Sequence, residues 1–262
     1  MQANWRIYPS LLNTFSDYEN YEVLYDKFYG TKDDPPVSLE EFRDKQEKKL
    51  LDTINRVEGE PIEAADRGTC LNEIIDCILE HRKPAKPISL QTIRDPDGHP
   101  QSILAKLHGF AFNFDAALCM DLAAYFRGST CQHLCEAVIT TSRGPALLYG
   151  YSDYIRRDVV YDLKTTGRYD YGKYDDGFQK DLYPWCLIES GELETVSGFE
   201  YTAVKLTGGT PTEPLLKGEI FKEWHDYSHS LATDRLRDAC ESLIWWVDTH
   251  RDLITNERIF NK

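Results

Sequence analysis

Apolar positions recur at helical spacing in the first half of the chain and at strand spacing from about residue 136 onward. Leu39, Phe42, Leu50, Leu51, Ile54 and Val57 mark one face of a helix over 38–57, and Ser38 with Glu41 has the spacing of a capping box. Leu71, Ile74, Ile75, Ile78 and Leu79 predict a second helix over 66–81, stopped by Pro84 and Pro87. Residues 88–100 carry no period and read as irregular. A strand is expected over 110–114 and a helix over 115–126, ended by Gly128. β-Branched residues at 137–141, closed by Arg143-Gly144-Pro145, then give strands at 146–155 and 159–166, parted by Arg156-Arg157-Asp158. A helix over 178–189, closed by Gly191, a strand over 199–206 and a helix over 231–250 complete the order. In the last helix Leu243, Trp245 and Trp246 are expected to face the core.

This order predicts an α/β (or α+β) chain of one domain over 1–262. It has a mainly helical part over 1–90, a core over 100–210 and a C-terminal helix over 229–250. A length of 262 residues suits one large domain. No apolar run nears the roughly 20 residues of a membrane span, and no signal-peptide core opens the chain, so a cytoplasmic protein without membrane contact is expected. The aromatic content of 12% excludes a disordered chain, and a net charge of −14 argues against coating nucleic acid by bulk electrostatics. Half of that charge lies in 17–63, with fourteen acids against seven bases. Basic groups that serve an anionic substrate must then be local. Seven unevenly spaced Cys read as reduced thiols; Cys131 and Cys135 flank His133, but no second pair completes a zinc site.

The hairpin at 146–166 carries the chemistry. If Arg157 and Asp158 form a two-residue loop, Arg156 pairs with Val159 and Asp153 falls opposite Asp162. Opposed like charges about 5 Å apart destabilise a sheet unless a cation lies between them. Magnesium takes such carboxylates with carbonyl oxygens and water. Lys164 shares the face of Asp162 and could support charge on a reacting phosphate. An ordinary Asp162–Lys164 ion pair is the plainer alternative. Gln179 and Tyr183 share a face of the next helix. Between strand and helix, Arg168 and Lys173 are interleaved with Tyr169, Tyr171 and Tyr174, a pattern that suits a nucleic-acid strand and equally a Tyr- and Gly-rich surface loop.

Taken together, Tyr-Gly-Tyr-Ser-Asp (149–153), Tyr-Asp-Leu-Lys-Thr-Thr (161–166) and Gln-Lys-Asp-Leu-Tyr (179–183) resemble the PD-(D/E)XK nuclease superfamily, and within it the RecB-type exonuclease branch. Its pattern is G-x-x-D, D-x-K-T and Q-x-x-x-Y. Ser10, Leu12 and Phe15 resemble the S-x-L-x-x-F opening of that branch, and Arg67-Gly68-Thr69 its G-T-x-x-H helix start. The phrasing also looks like that of phage-encoded members. The resemblance runs from about residue 8 to about residue 190.

It implies a restriction-endonuclease-like core, a mixed sheet flanked by helices. Asp153 and Asp162 would bind the metal, with the Leu163 main-chain carbonyl as a further ligand, and Lys164 would be the catalytic lysine. Gln179 and Tyr183 would contact DNA and support the site, with Arg168 and Lys173 as further DNA contacts. Asn72 stands where the branch usually has His, a weaker ligand, and Glu73, which follows it, points about 100° away. Glu73, His81 and Glu136 are the alternates. Only Cys186 and Cys240 follow Tyr183, so no iron–sulfur cluster is expected. His99, His108, His225, His229 and His250 show no ligand spacing and read as structural or exposed.

The expected function is hydrolysis of DNA by a magnesium- or manganese-dependent exonuclease acting at free ends in recombination or repair. A homo-oligomer or a phage recombination partner would be in keeping with the resemblance. The alternatives are a restriction-type endonuclease and a nuclease-fold protein that binds DNA ends or a protein without cutting.

Overall fold

The structure, a computed structural model, describes residues 3–260. The chain opens with β1 (Trp5–Ile7), α1 (Pro9–Glu19), α2 (Tyr21–Tyr29), α3 (Leu39–Ile54) and α4 (Glu63–Glu80). It continues through β2 (Ser89–Arg94), β3 (Pro100–Leu107), β4 (Phe110–Asp115) and α5 (Ala116–Tyr125). The meander β5 (Thr130–Thr141), β6 (Gly144–Arg156) and β7 (Val159–Thr166) follows. Last come α6 (Gln179–Glu189), β8 (Gly198–Thr207), β9 (Leu215–Asp226) and α7 (His229–Thr249).

The strands form one mixed sheet in the order β1-β6-β7-β8-β9-β4-β3-β2, with β5 on the other edge of β6. The pairs β1–β6, β7–β8 and β4–β9 are parallel and the rest antiparallel. Each face carries a core. One joins Leu12 and Phe15 of α1, Leu50 of α3, Leu182 and Trp185 of α6 and Leu243 of α7. The other packs α4 and α5 on β3, β4 and β7 through Leu71, Ile75, Leu122, Phe114 and Leu163. The chain is thus α/β, a large mixed sheet flanked by helices. Among the described residues no helix is long and apolar enough to cross a membrane.

Local chemistry explains the boundaries. Ser38 and Glu41 form the expected capping box of α3. Asp115 caps α5 through the Ala117 N–H, and His81 closes α4 in the left-handed region at φ 53. Three readings need correction. The stretch over 88–100 is not irregular: β2 occupies Ser89–Arg94, as a half-exposed outer strand whose polar face hides the alternation, and β3 begins at Pro100. β9 joins β8 to β4 with only Leu216 and Glu223 buried, too few for a period to show. Trp245 faces solvent at 52% exposure, because it lies on α7 opposite the buried stripe of Leu236, Cys240, Leu243, Ile244 and Val247, whereas Trp246 is buried at 4%.

Candidate active site

The hairpin register is the expected one, with Arg156 paired to Val159, Ile155 to Val160 and Tyr154 to Tyr161 across the loop Arg157-Asp158. Arg157 supplies the left-handed residue of that turn, at φ 58. The ladder then stops one pair short of the carboxylates. Asp153 Oδ2 accepts the main-chain N–H of Leu163 at 2.8 Å, standing in for a strand carbonyl. On the other edge, Gln132 of β5 adopts φ 47 beside Asp153, with its Nε2 at 3.4 Å from Asp153 Oδ1. The parity of β6 changes at this break. Ala146 and Leu148 enter the core under α6, whereas Tyr154 enters the opposite core, stacked on Phe126 at 4.0 Å.

Along the edge of β6 facing β1 and β7, Leu148 is the last residue paired to β1 and Tyr154 the first paired to β7. Residues 149–153 therefore front an open cleft. β1 runs straight into α1, whose N-terminal Pro9 and Ser10 line that cleft. This accounts for the opening motif: Ser10 is exposed, while Leu12 and Phe15 anchor the helix in the core. A β-carbon on Gly150 would lie 2.7 Å from Tyr183 Cε1 and 3.2 Å from Pro9 Cδ, so only glycine lets α6 and α1 come this close.

Asp162 is 2% exposed on β7. Lys164 Nζ lies 2.7 Å from its Oδ2 and donates to Gln179 Oε1 at 2.8 Å, while Gln179 Nε2 donates to Asp162 Oδ1 at 2.7 Å. Gln179 Nε2 also lies 3.4 Å from the Tyr183 hydroxyl. The first turn of α6 is fixed by Asn13 of α1, whose Oδ1 accepts the Phe178 N–H at 2.9 Å. Burial, reinforced by the charge of Asp162, pushes Asp153 up to about 7 against the opposing pull of Lys164 and the Leu163 N–H. Burial alone would lower Lys164, but its pairing with Asp162 and the charge of Asp153 outweigh it and hold the amine above its ordinary value. The cluster thus contains a carboxylate, Asp153, that burial and its neighbour hold back from ionising, and one firmly charged ammonium.

Helix α4 brings residues that the sequence reading missed. Gly68 lets it lie close on β7, where a β-carbon would fall 2.9 Å from Thr165 Oγ1. Asp76, 1% exposed, has a charge that reaches Asp153, and its Oδ1 has no hydrogen-bond partner. Burial pushes it up to about 6, with the Tyr154 hydroxyl and Arg82 partly opposing the rise. Asn72, one turn earlier on the same face, also holds a buried, unpartnered Oδ1. The i, i+4 spacing of Asn72 and Asp76 was the available signal. Glu73 is engaged elsewhere, taking both Arg82 nitrogens at 2.5 and 3.0 Å and the Ala85 N–H. His81 is exposed at the helix end, and Glu136 is exposed on β5, on the face away from α6. Arg168 reaches into solvent beside Asp170.

Three adjoining hollows run past the cluster. The central one, about 540 Å³, is lined by Arg56, Gly150, Lys164, Gln179 and Tyr183. One of about 590 Å³ shares Arg56 and Tyr149 with it and adds Arg6 and Arg258. One of about 320 Å³ shares Lys164 and Gln179 and adds Lys173, Tyr174 and Tyr201. Their walls carry Arg6, Arg56, Arg258, Lys164 and Lys173 against the acids Asp17, Asp176 and Glu257. A chain of net charge −14 thus brings Arg6, Arg56, Arg258 and Lys173 together along this path, while Lys164 is paired with Asp162. Tyrosines are interleaved: Arg6 lies 5.0 Å over Tyr149 and Arg56 5.3 Å over Tyr8.

No protein-family model matches the sequence, and no curated protein matches it significantly. Among solved structures the chain is similar to that of SSO0001, at a TM-score of 0.36 and 10% identity, over 92% of this chain and 78% of that one. A likeness this slight assigns no family and no activity to the chain.

Proposed function

We propose that the chain is a metal-dependent deoxyribonuclease with a PD-(D/E)XK core, an exonuclease that hydrolyses DNA from free ends. The observation that carries this reading is the meeting of Asp153, Asp162, Lys164, Gln179 and Tyr183, from three stretches of the chain, at the open edge of β6. The donor set suits magnesium or manganese. It offers two carboxylates, one of them hard to ionise beside the other, which is the charge deficit that a hard divalent cation corrects. Asp153, Asp162 and the Leu163 carbonyl would hold the ion, and Asp76, with its unpartnered Oδ1, fits the α4 position better than the neutral Asn72.

Such an ion, when bound, lowers the pKa of water and neutralises charge on a phosphodiester. The chain's own groups do the rest. Lys164 keeps its proton and sets a fixed positive charge where the phosphate must gain negative charge. Gln179, bonded to both Lys164 and Asp162, holds that ammonium and that carboxylate in one geometry. Phosphates fit against Arg6, Arg56, Arg258 and Lys173, and bases against Tyr8, Tyr149 and Tyr174, along the joined hollows.

The test is incubation of the purified protein with end-labelled linear DNA and closed circular DNA, with and without magnesium or manganese. Metal-dependent loss of linear DNA that spares the circle, abolished in Asp162→Asn, is expected. Cutting of the circle would favour the restriction-type alternative. Binding of linear DNA with no product under any metal would overturn the nuclease reading in favour of a non-cutting DNA-end binder.

A further inference from the structure

A second cluster stands on the same face of the sheet, two strands away from Asp162. Across the sheet Asp162 pairs with Tyr201, and Tyr201 pairs with Glu223 of β9. At a strand spacing of about 4.8 Å this places Glu223 roughly 10 Å from Asp162. His225 follows two residues later on that face. The loop between β7 and α6 folds over both: Gly172, at φ 78, turns the chain so that Asp175 comes back over β9. Ligand atoms of Asp175, Glu223 and His225 lie within 4.8 Å of one another.

Hydrogen bonds within the fold account for only part of this arrangement. Glu223 is 2% exposed, and its Oε1 accepts from the Tyr169 hydroxyl at 2.5 Å and the Gly172 N–H at 3.1 Å. Its Oε2 is buried and has no hydrogen-bond partner, and His225 Nε2 is buried and unpartnered too, 3.6 Å from Asp175 Oδ1. A carboxylate oxygen and an imidazole nitrogen, both out of water and both without a hydrogen bond, the nitrogen having only the Asp175 carboxylate at ion-pair distance, carry an unmet cost of burial. The contrast is with Asp95, Asp97 and His99 at the β2–β3 turn, where the Asp95 carboxylate is used by the His99 N–H and the side chains stand largely in solvent.

We propose that Asp175, Glu223 and His225 form a zinc site that clamps the Tyr- and Gly-rich loop onto β9. One imidazole nitrogen and two carboxylates, with water in the fourth position, make a tetrahedral set that zinc takes and magnesium does not favour. Tetrahedral ligands at about 2.0–2.2 Å from the ion stand about 3.3 Å apart. Asp175 Oδ1, on an exposed turn, already stands 3.6 Å from His225 Nε2, close to that spacing. The clamp would fix the segment that carries Lys173 and Tyr174 to the wall of the cleft. It requires no nuclease activity, so it stands or falls separately from the function proposed above.

The experiment uses the full-length protein stripped of metal, titrated with zinc against a chromophoric chelator in millimolar magnesium. Hydrogen exchange of the loop is followed in parallel. One tight zinc per chain is expected, with slower exchange over 167–177, and cobalt in its place should give the visible bands of a four-coordinate site. Asp175→Asn, on an exposed turn where folding is not at stake, and His225→Gln should each weaken zinc by at least about tenfold, while Asp162→Asn should leave it unchanged. Failure to take up zinc over magnesium would overturn the proposal. So would zinc binding indifferent to Asp175→Asn and His225→Gln, or lost in Asp162→Asn.

Discussion

The carboxylate of Asp153 takes the main-chain N–H of Leu163 at 2.8 Å, at the point where the β6–β7 ladder has just ended. One side chain thus finishes the sheet and opens the site, and its charge state is tied to the stability of the fold.

Asp153 is pushed up to about 7 and Asp76 to about 6, chiefly by burial. Both lie above the ordinary carboxylate value near 4, so between about pH 4 and 7 these two groups hold more protons in the native chain than in the unfolded one. The sign follows: this contribution is full below about pH 4 and is lost as pH rises through 6 and 7. In metal-free buffer, urea unfolding is expected to show a chain less stable at pH 7.5 than at pH 5, by on the order of 1 kcal/mol or more. Asp153→Asn should flatten that slope, and magnesium should oppose it by binding the ionised form. Equal slopes for wild type and Asp153→Asn would remove Asp153 from this account.

Gly150→Ala forces a β-carbon against Tyr183 Cε1 and Pro9 Cδ. A loss of about 1–3 kcal/mol in chemical denaturation is expected from this overpacking. Tyr183→Leu should recover part of the loss in the double variant, because it removes the ring that clashes. Strict additivity of the two changes would show that the ring is not what excludes a side chain at 150.

Lys164→Ala is expected to lower turnover about a hundredfold or more while changing DNA affinity far less, since its fixed charge matters most as the phosphate gains charge. Gln179→Leu should follow in the same direction but more weakly, because Lys164 keeps its ion pair with Asp162. Single-turnover rates and equilibrium binding, measured side by side, separate the two effects. Equal losses in both would make Lys164 a phosphate anchor.

On α4 two variants divide the roles of Asn72 and Asp76. If Asp76 is the ligand, Asp76→Asn should weaken the magnesium or manganese dependence of activity by at least about tenfold, and Asn72→His should tighten it only modestly. Activity against metal concentration reads both. An indifferent Asp76→Asn with a strongly gaining Asn72→His would return the role to position 72.

How much of this was legible in the sequence depends on whether the signal is local. The capping box at Ser38, the turn at Arg157-Asp158 and the spacing of Gln179 and Tyr183 are local, and they stand in the structure as the residues imply. The open edge of β6 arises because the three-residue β1 pairs only with Ala146 to Leu148 and β7 only with Tyr154 to Arg156, which no window of sequence contains. Asp76 sits inside an apolar helical stripe, where its i, i+4 spacing from Asn72 is the one local mark of a buried acid. His225 read as bland because its partners Asp175 and Glu223 come from a loop and another strand position, with no ligand spacing to join all three. Arg6, Arg56 and Arg258, scattered along the chain, gain meaning only when the fold gathers them.

The pairing of β1 with β6 also sets an order of assembly. β5, β6 and β7 are joined by tight turns and can form early, so Asp153, Asp162 and Lys164 meet through local contacts. The wall of the cleft cannot. Trp5 must find Ala146 across much of the chain, and it is bridged in turn to Phe260 near the far end. Pulse-labelled refolding should therefore protect amides of β6 and β7 before those of β1. A chain still emerging from the ribosome would hold its carboxylates together before the cleft beside them had a wall.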